Sequence, residues 1–336
     1  MNDKSILVTG ATGSFGKAFI KFLTKRYKKI KRLVIFSRDE LKQSEMAKVY
    51  DEKKYPFIRY FIGDVRDQKR LSRALNKIDI VIHSAALKQV PIAEYNPIEF
   101  IKTNILGAQN LIEASLNNNV SKVIALSTDK ACAPVNLYGA TKLCSDKLFI
   151  AANNYSGKNI FSVVRYGNVL GSRGSVLPLL MQYKNSGTFT ITSEEMTRFN
   201  ITLDQGVKAV DWAMQNSNGG EILIPKIPSY KLVNLIEAVG LKNKPKIIGL
   251  RKGEKVHEEM ITEADSYTTY DIGEYFLILP DNEKSTLNRF KKKLKVFKKI
   301  PNNFSYNSRD NDQFLSTNEL KKMIAHVGNF KKSDVG

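Results

Sequence analysis

At 336 residues, 42% of them hydrophobic, the chain is long enough for one large or two closely joined domains around a substantial buried core. No apolar run reaches the ~20 residues that a membrane-spanning helix requires, and residues 1–5 hold no apolar segment of a signal peptide. The formal charge of +20 favours anionic partners, but the basic residues are scattered in short clusters such as Lys28–Lys29 and Lys291–Lys293, which read as solvated faces rather than a nucleic-acid surface.

The first predicted element is a short buried strand, Ile6–Thr9, followed by Gly10-Ala11-Thr12-Gly13-Ser14-Phe15-Gly16 and an amphipathic run to Tyr27. Strand, glycine turn and helix are the context of a dinucleotide site: Gly10 permits the turn, Gly13 lets backbone approach a pyrophosphate, and Gly16 allows close packing. The second strand, Arg32–Ser37, ends in Ser37-Arg38, where an NAD site usually carries an acid for the ribose hydroxyl. A small donor beside a guanidinium suits a 2′-phosphate, so NADP is the expected cofactor. Phe57–Ile62 is the third strand, with Asp64 after it to accept from an adenine amino group or to cap the helix beginning near Gln68. A fourth strand, Asp79–His83, leads into small residues and Lys88, which can reach a phosphate or sugar oxygen. Pro97–Asn117 reads as one long helix carrying Asn104.

The fifth strand, Val123–Leu126, opens the stretch Ser127–Lys142, followed by a helix-prone segment ending near Tyr155. Tyr138 and Lys142 are one helical turn apart on one face, so the ammonium is expected to move the phenol towards a usable base. Alone, this pair is better read as a solvated Lys beside a half-buried Tyr. Thr128, Asp129 and Lys130 just upstream bring a hydroxyl, a carboxyl and an amine to the same strand end. Lys130 needs a neutral fraction to act as a base, and burial is expected to supply it.

A sixth strand, Ile160–Arg165, completes an alternating pattern whose fold class is α/β, a doubly wound parallel Rossmann sheet with a smaller interwoven substrate-binding region. The expected division is 1–168 with about 199–227 returning to it, against 169–198 and 228–330, and a disordered tail at 331–336. Tyr166–Gly174 is a glycine-rich loop suited to an anion, Leu203–Asn216 a helix, and Lys284–Lys299 a surface or packing helix. Arg251, in a second charged turn, is a candidate for bidentate phosphate contact. Cys132 and Cys144 form no disulfide framework and the three histidines are too dispersed for a metal site, so no metal is expected and a reducing cytoplasm fits.

The motifs T-G-A-T-G-S-F-G, F-S-R-D-E, G-D-V-R-D, A-A-L-K-Q-V-P, L-S-T-D-K-A, Y-G-A-T-K, R-Y-G-N-V, S-R-G-S-V-L-P and R-K-G-E-K-V-H-E span nearly the whole chain. Together they resemble the extended short-chain dehydrogenases/reductases of the nucleotide-sugar type, and among them the inverting UDP-N-acetylglucosamine 4,6-dehydratases of the pseudaminic acid pathway. Glucose-nucleotide dehydratases of the family carry Thr-Asp-Glu where this chain has Thr-Asp-Lys. The resemblance implies a homo-oligomer with NADP on Gly10, Thr12, Gly13, Ser14, Phe15, Gly16, Ser37, Arg38, Asp64, Val65, Ala86, Lys88, Asn104, Tyr138, Lys142 and Val169. It places a UDP-sugar on Lys88, Asn168, Arg173, Thr197, Arg198 and Arg251, and the chemistry on Asp129, Lys130 and Tyr138. A UDP-sugar 4-epimerase would use the same cofactor and Tyr-Lys pair but has no use for Asp129-Lys130. A non-catalytic dinucleotide sensor would have no use for either pair.

Overall fold

The computed structural model describes residues 1–172, 174–183, 189–241 and 243–333. Six apolar strands, β1 (Ser5–Thr9), β2 (Arg32–Ser37), β3 (Ile58–Ile62), β4 (Ile80–His83), β5 (Lys122–Thr128) and β6 (Ile160–Tyr166), run parallel in the spatial order 3-2-1-4-5-6. β1 and β4 are buried along their whole length, which is why they are continuous apolar runs rather than alternating ones. The expected doubly wound sheet is present, and it is larger than six strands. Ile222–Pro225 adds a parallel strand beside β6, and Tyr275–Ile278, Thr269–Asp271 and Lys298–Lys299 extend that edge antiparallel.

Lys298–Lys299 corrects the expected helix over Lys284–Lys299, which ends at Lys291. The edge strand Thr269–Asp271 offers unpaired peptide groups that capture this segment, and Phe297 stacks on Tyr270 with centroids 4.4 Å apart. The last helix, Thr317–Ser333, runs into the expected disordered tail at 331–336, of which 334–336 lie outside the described residues.

Strand order reverses between β1 and β4, and this switch point opens a crevice at their carboxyl ends. Gly10 (φ 64°) leaves β1 so close to the chain leaving β4 that a Cβ there would sit 2.8 Å from the Ala85 nitrogen. Only glycine closes this turn. The segment expected as one helix is α-helical at Pro97–Phe100, π-helical at Ile101–Leu106 and α-helical again at Gly107–Asn117. A second apolar cluster, including Leu177, Ile191, Met196, Tyr230 and Leu235, underlies a small sheet of Asn168–Val169, Thr197–Ile201 and Ser229–Lys231. That sheet stands over the strand ends. Among the described residues no helix is long and apolar enough to cross a membrane.

Candidate active site

A cleft of about 1380 Å³ runs along the carboxyl ends of the strands. Thr12, Gly13, Ser14, Phe15 and Gly16 line one wall with Gly10 at its base. The helix Ser14–Arg26 begins there without a side-chain cap and without an acidic residue in its first turn. Its first amides and positive dipole end therefore suit a pyrophosphate, and a Cβ on Gly13 would intrude to 3.1 Å from the Gly10 carbonyl oxygen. The geometry fits a dinucleotide.

Ser37, Arg38, Asp64 and Val65 line the far end, and Ala86, Lys88, Tyr138, Lys142 and Val169 the middle. Gln43 Nε2 donates to Ser37 Oγ at 3.0 Å, which orients that hydroxyl to donate in turn. Asp64 Oδ1 accepts from the Arg66 amide at 2.9 Å and Oδ2 from its guanidinium, with Arg38 Nη1 at 3.5 Å. Burial works against the Asp64 carboxylate, but Arg66 and Arg38 outweigh it and hold its pKa below the ordinary range. The helix at Gln68–Leu75 is capped instead by Asp67. Asn104 does not line the cleft. It is buried, accepts from the Leu87 amide (2.9 Å) and donates to the Leu87 carbonyl (2.9 Å) and Thr141 Oγ1 (3.0 Å). It staples the loop after β4 to the helix of Tyr138, a positioning task rather than the expected cofactor contact.

Asn168, Arg198 and Arg251 line the cleft as well, whereas Thr197, expected to touch substrate, is buried away from it. Its hydroxyl is bonded to His257 Nδ1 (2.8 Å) and Ser308 Oγ (2.7 Å). Arg198 donates to the carbonyls of Thr197, Lys255 and Val256 and so holds the 251–258 loop over the cleft. Arg173 lies outside the described residues.

The chemical centre sits where β5 ends. Asp129–Ala131 makes one 3-10 turn, and Asn136 caps the helix Leu137–Ala152 by accepting from the Gly139 amide at 2.8 Å. A Cβ on Gly139 would collide with the Lys130 carbonyl oxygen, so glycine after Tyr138 brings that helix against the turn. Lys130 Nζ has three acceptors, each at 3.1 Å: Asp129 Oδ1, Glu258 Oε1 and Asn168 Oδ1. Three acceptors match the three protons of an ammonium.

The electrostatics reverse two expectations. Burial opposes the charge on Lys130, but Asp129 and Glu258 outweigh it and hold the pKa above the ordinary lysine range rather than below. Burial likewise pushes the Tyr138 phenol up to about 12, with Lys130 the main opposing charge. Lys142, expected to acidify Tyr138, donates instead to the Leu126 carbonyl at 2.8 Å, and burial lowers its own pKa. The two carboxyls around Lys130 diverge. Asp129, fully buried, is raised by that burial with Glu258 adding to it, whereas burial of Glu258 is outweighed by Lys130 and Arg198 and its pKa falls. The two carboxyls that share Lys130 are thus shifted in opposite directions. Asp129 itself stands behind the cleft wall, where its Oδ1 accepts from the hydroxyl of Thr128, a cleft-lining residue, at 2.9 Å.

Sequence reasoning quoted Glu258 within a motif and assigned it no role. Glu258 and Glu259 are adjacent and chemically alike. Only the fold shows that the first is buried against Lys130 while the second accepts from Ser305 at 2.9 Å.

The family model of polysaccharide biosynthesis proteins matches residues 6–280. The chain is 52% identical to the UDP-N-acetylglucosamine 4,6-dehydratase (inverting) of Campylobacter jejuni, over 98% of this chain and 99% of that protein. It is 40% identical to the UDP-glucose 4-epimerase of Rickettsia akari, over 96% and 95%. Among solved structures, Pen from Bacillus thuringiensis matches with a TM-score of 0.86 at 35% identity, covering 97% of this chain and 98% of that one. The chain therefore belongs to the polysaccharide biosynthesis protein family, on the short-chain dehydrogenase/reductase fold, and stands among its inverting UDP-N-acetylglucosamine 4,6-dehydratases.

Proposed function

We propose that this protein is a UDP-N-acetylglucosamine 4,6-dehydratase that inverts C5, giving UDP-2-acetamido-2,6-dideoxy-β-L-arabino-hexos-4-ulose as the first step towards pseudaminic acid. The observation that carries the reading is Lys130, held at the cleft wall by Asp129, Glu258 and Asn168 within reach of the same substrate as Tyr138. An epimerase moves protons only at the 4-hydroxyl and gains nothing from such a cluster. The region formed by 169–198 and 228–330 covers the sugar, and the enzyme works in the cytoplasm as a homo-oligomer.

A bound nicotinamide dinucleotide supplies the hydride acceptor and donor. We favour NADP, because Ser37 is oriented to donate and Arg38, about half exposed, is available to a 2′-phosphate. Tyr138 takes the proton of the sugar 4-hydroxyl as C4 is oxidised, and the resulting ketone acidifies C5. Lys130, acting through its neutral fraction, takes the C5 proton. Asp129 supplies a proton to the departing 6-hydroxyl, so water leaves. With the hydride taken from C4 returned to C6 of the 4-keto-5,6-ene, protonation of C5 from the opposite face inverts that centre.

The test is proton NMR of the purified protein with UDP-N-acetylglucosamine in heavy water, without added cofactor. A new C6 methyl signal, with deuterium at C5 and the couplings of the inverted ring, is expected. Appearance of the 4-epimer alone would overturn the assignment of Asp129 and Lys130.

A further inference from the structure

Glu258 is buried, with 3% of its surface exposed, yet it borders the cleft. Its backbone is fixed from both sides by Ser308, whose hydroxyl accepts from the Glu258 amide (2.8 Å) and whose amide donates to its carbonyl (2.7 Å). Oε1 faces Lys130 Nζ at 3.1 Å and Arg198 Nε at 3.7 Å, and Oε2 is buried with no hydrogen-bond partner among the described residues. A buried carboxylate is costly unless charges on both sides compensate it.

We propose that Glu258 is a positioning residue of the dehydration step, the counter-ion that holds Lys130 Nζ at the cleft face. The inference rests on the dehydratase reading. The charged groups facing Glu258 are Lys130 and Asp129 from the turn after β5, Arg198 from the strand Thr197–Ile201, and Lys255 from its own loop. Without the Glu258 charge, Asp129 becomes the sole counter-ion of Lys130. The ammonium then draws back against its sequence neighbour, so the base is displaced from C5.

Glu258→Gln keeps the size and an acceptor oxygen but removes the charge. In the holoenzyme with UDP-N-acetylglucosamine, kcat for dehydration is expected to fall about a hundredfold, in the range of a lost acid–base contribution, with KM nearly unchanged. Oxidation at C4, read as a single-turnover absorbance at the reduced-nicotinamide band, is expected to persist, while deuterium entry at C5 slows with kcat. Glu258→Asp, one methylene shorter but charged, is expected to recover part of the loss. If Glu258 only shaped the loop carrying Arg251 and Lys255, C4 oxidation would fall in parallel and KM would rise. That pattern, or an unchanged kcat in Glu258→Gln, overturns the proposal while leaving the dehydratase reading intact. Failure of the unsubstituted enzyme to dehydrate the sugar removes both.

Discussion

Arg38 is the residue on which cofactor choice turns. Its guanidinium sits at the rim with Asp64 Oδ2 3.5 Å away, and Asp64 is already engaged by Arg66. An exposed pair of this kind adds little stability, so Arg38 is free to exchange the carboxylate for a phosphate, to which an arginine binds more strongly. Arg38→Ala is expected to weaken NADP about tenfold and to leave NAD nearly unchanged, read by titration of the fluorescence of Trp212, the single tryptophan. Equal weakening of both cofactors would remove the 2′-phosphate from this corner. The same scale explains why Lys130 and Tyr138 titrate against expectation. Spacing along a helix says which side chains share a face, but the ionisation of a buried group follows the charges packed around it, and those of Lys130 come from residues one and 128 positions away.

The π-helical segment Ile101–Leu106 does at the level of an element what a regular helix would not. Its wider turn carries Asn104 to both peptide groups of Leu87 and to Thr141, tying the strand-end loop to the catalytic helix. Asn104→Ala leaves a buried amide and carbonyl without partners and is expected to cost about 2–3 kcal/mol, measured by urea unfolding, with only a modest loss of cofactor affinity. A large loss of affinity at unchanged stability would return Asn104 to the cofactor site. The π turn leaves no trace in composition, because an extra residue in a helical turn is bought by tertiary contacts rather than by propensity.

For the molecule as a whole, acid stability is set first by a histidine in the core. His83 is fully buried against Phe149, with Nδ1 2.9 Å from Thr9 Oγ1, and burial, with Lys142 adding to it, depresses its pKa from 6.5 to about 3. The unfolded chain therefore binds a proton that the folded one refuses. This contribution is present above pH 6.5 and drains as the pH falls towards 3, with a slope of about 1.4 kcal/mol per pH unit. The depressed carboxyls of Asp64, Glu258 and Asp271 begin to cost stability only nearer the ordinary carboxylate range of about 4. While the raised Asp129 carboxyl works in the opposite sense, because the folded chain takes up that proton before the unfolded one does, His83, with a smaller share from the more exposed His257, should thus supply the decline between about 6.5 and 4.5. His83→Gln is expected to flatten it in urea midpoints taken across that window; an unaltered slope would place the proton elsewhere.

The six-strand parallel core, the glycine turn, the Tyr138–Lys142 pair and the Asp129-Lys130 dipeptide were all legible in the chain, because each is a local pattern: an apolar run, a turn that only glycine closes, a spacing of one helical turn. What the tertiary structure alone decided was the antiparallel completion of the sheet, the structural employment of Asn104 and Thr197, and the meeting of Glu258 with Lys130. These join segments far apart in sequence, and whether a carboxyl is a solvated surface charge or a buried counter-ion is settled by packing, to which composition and periodicity are blind.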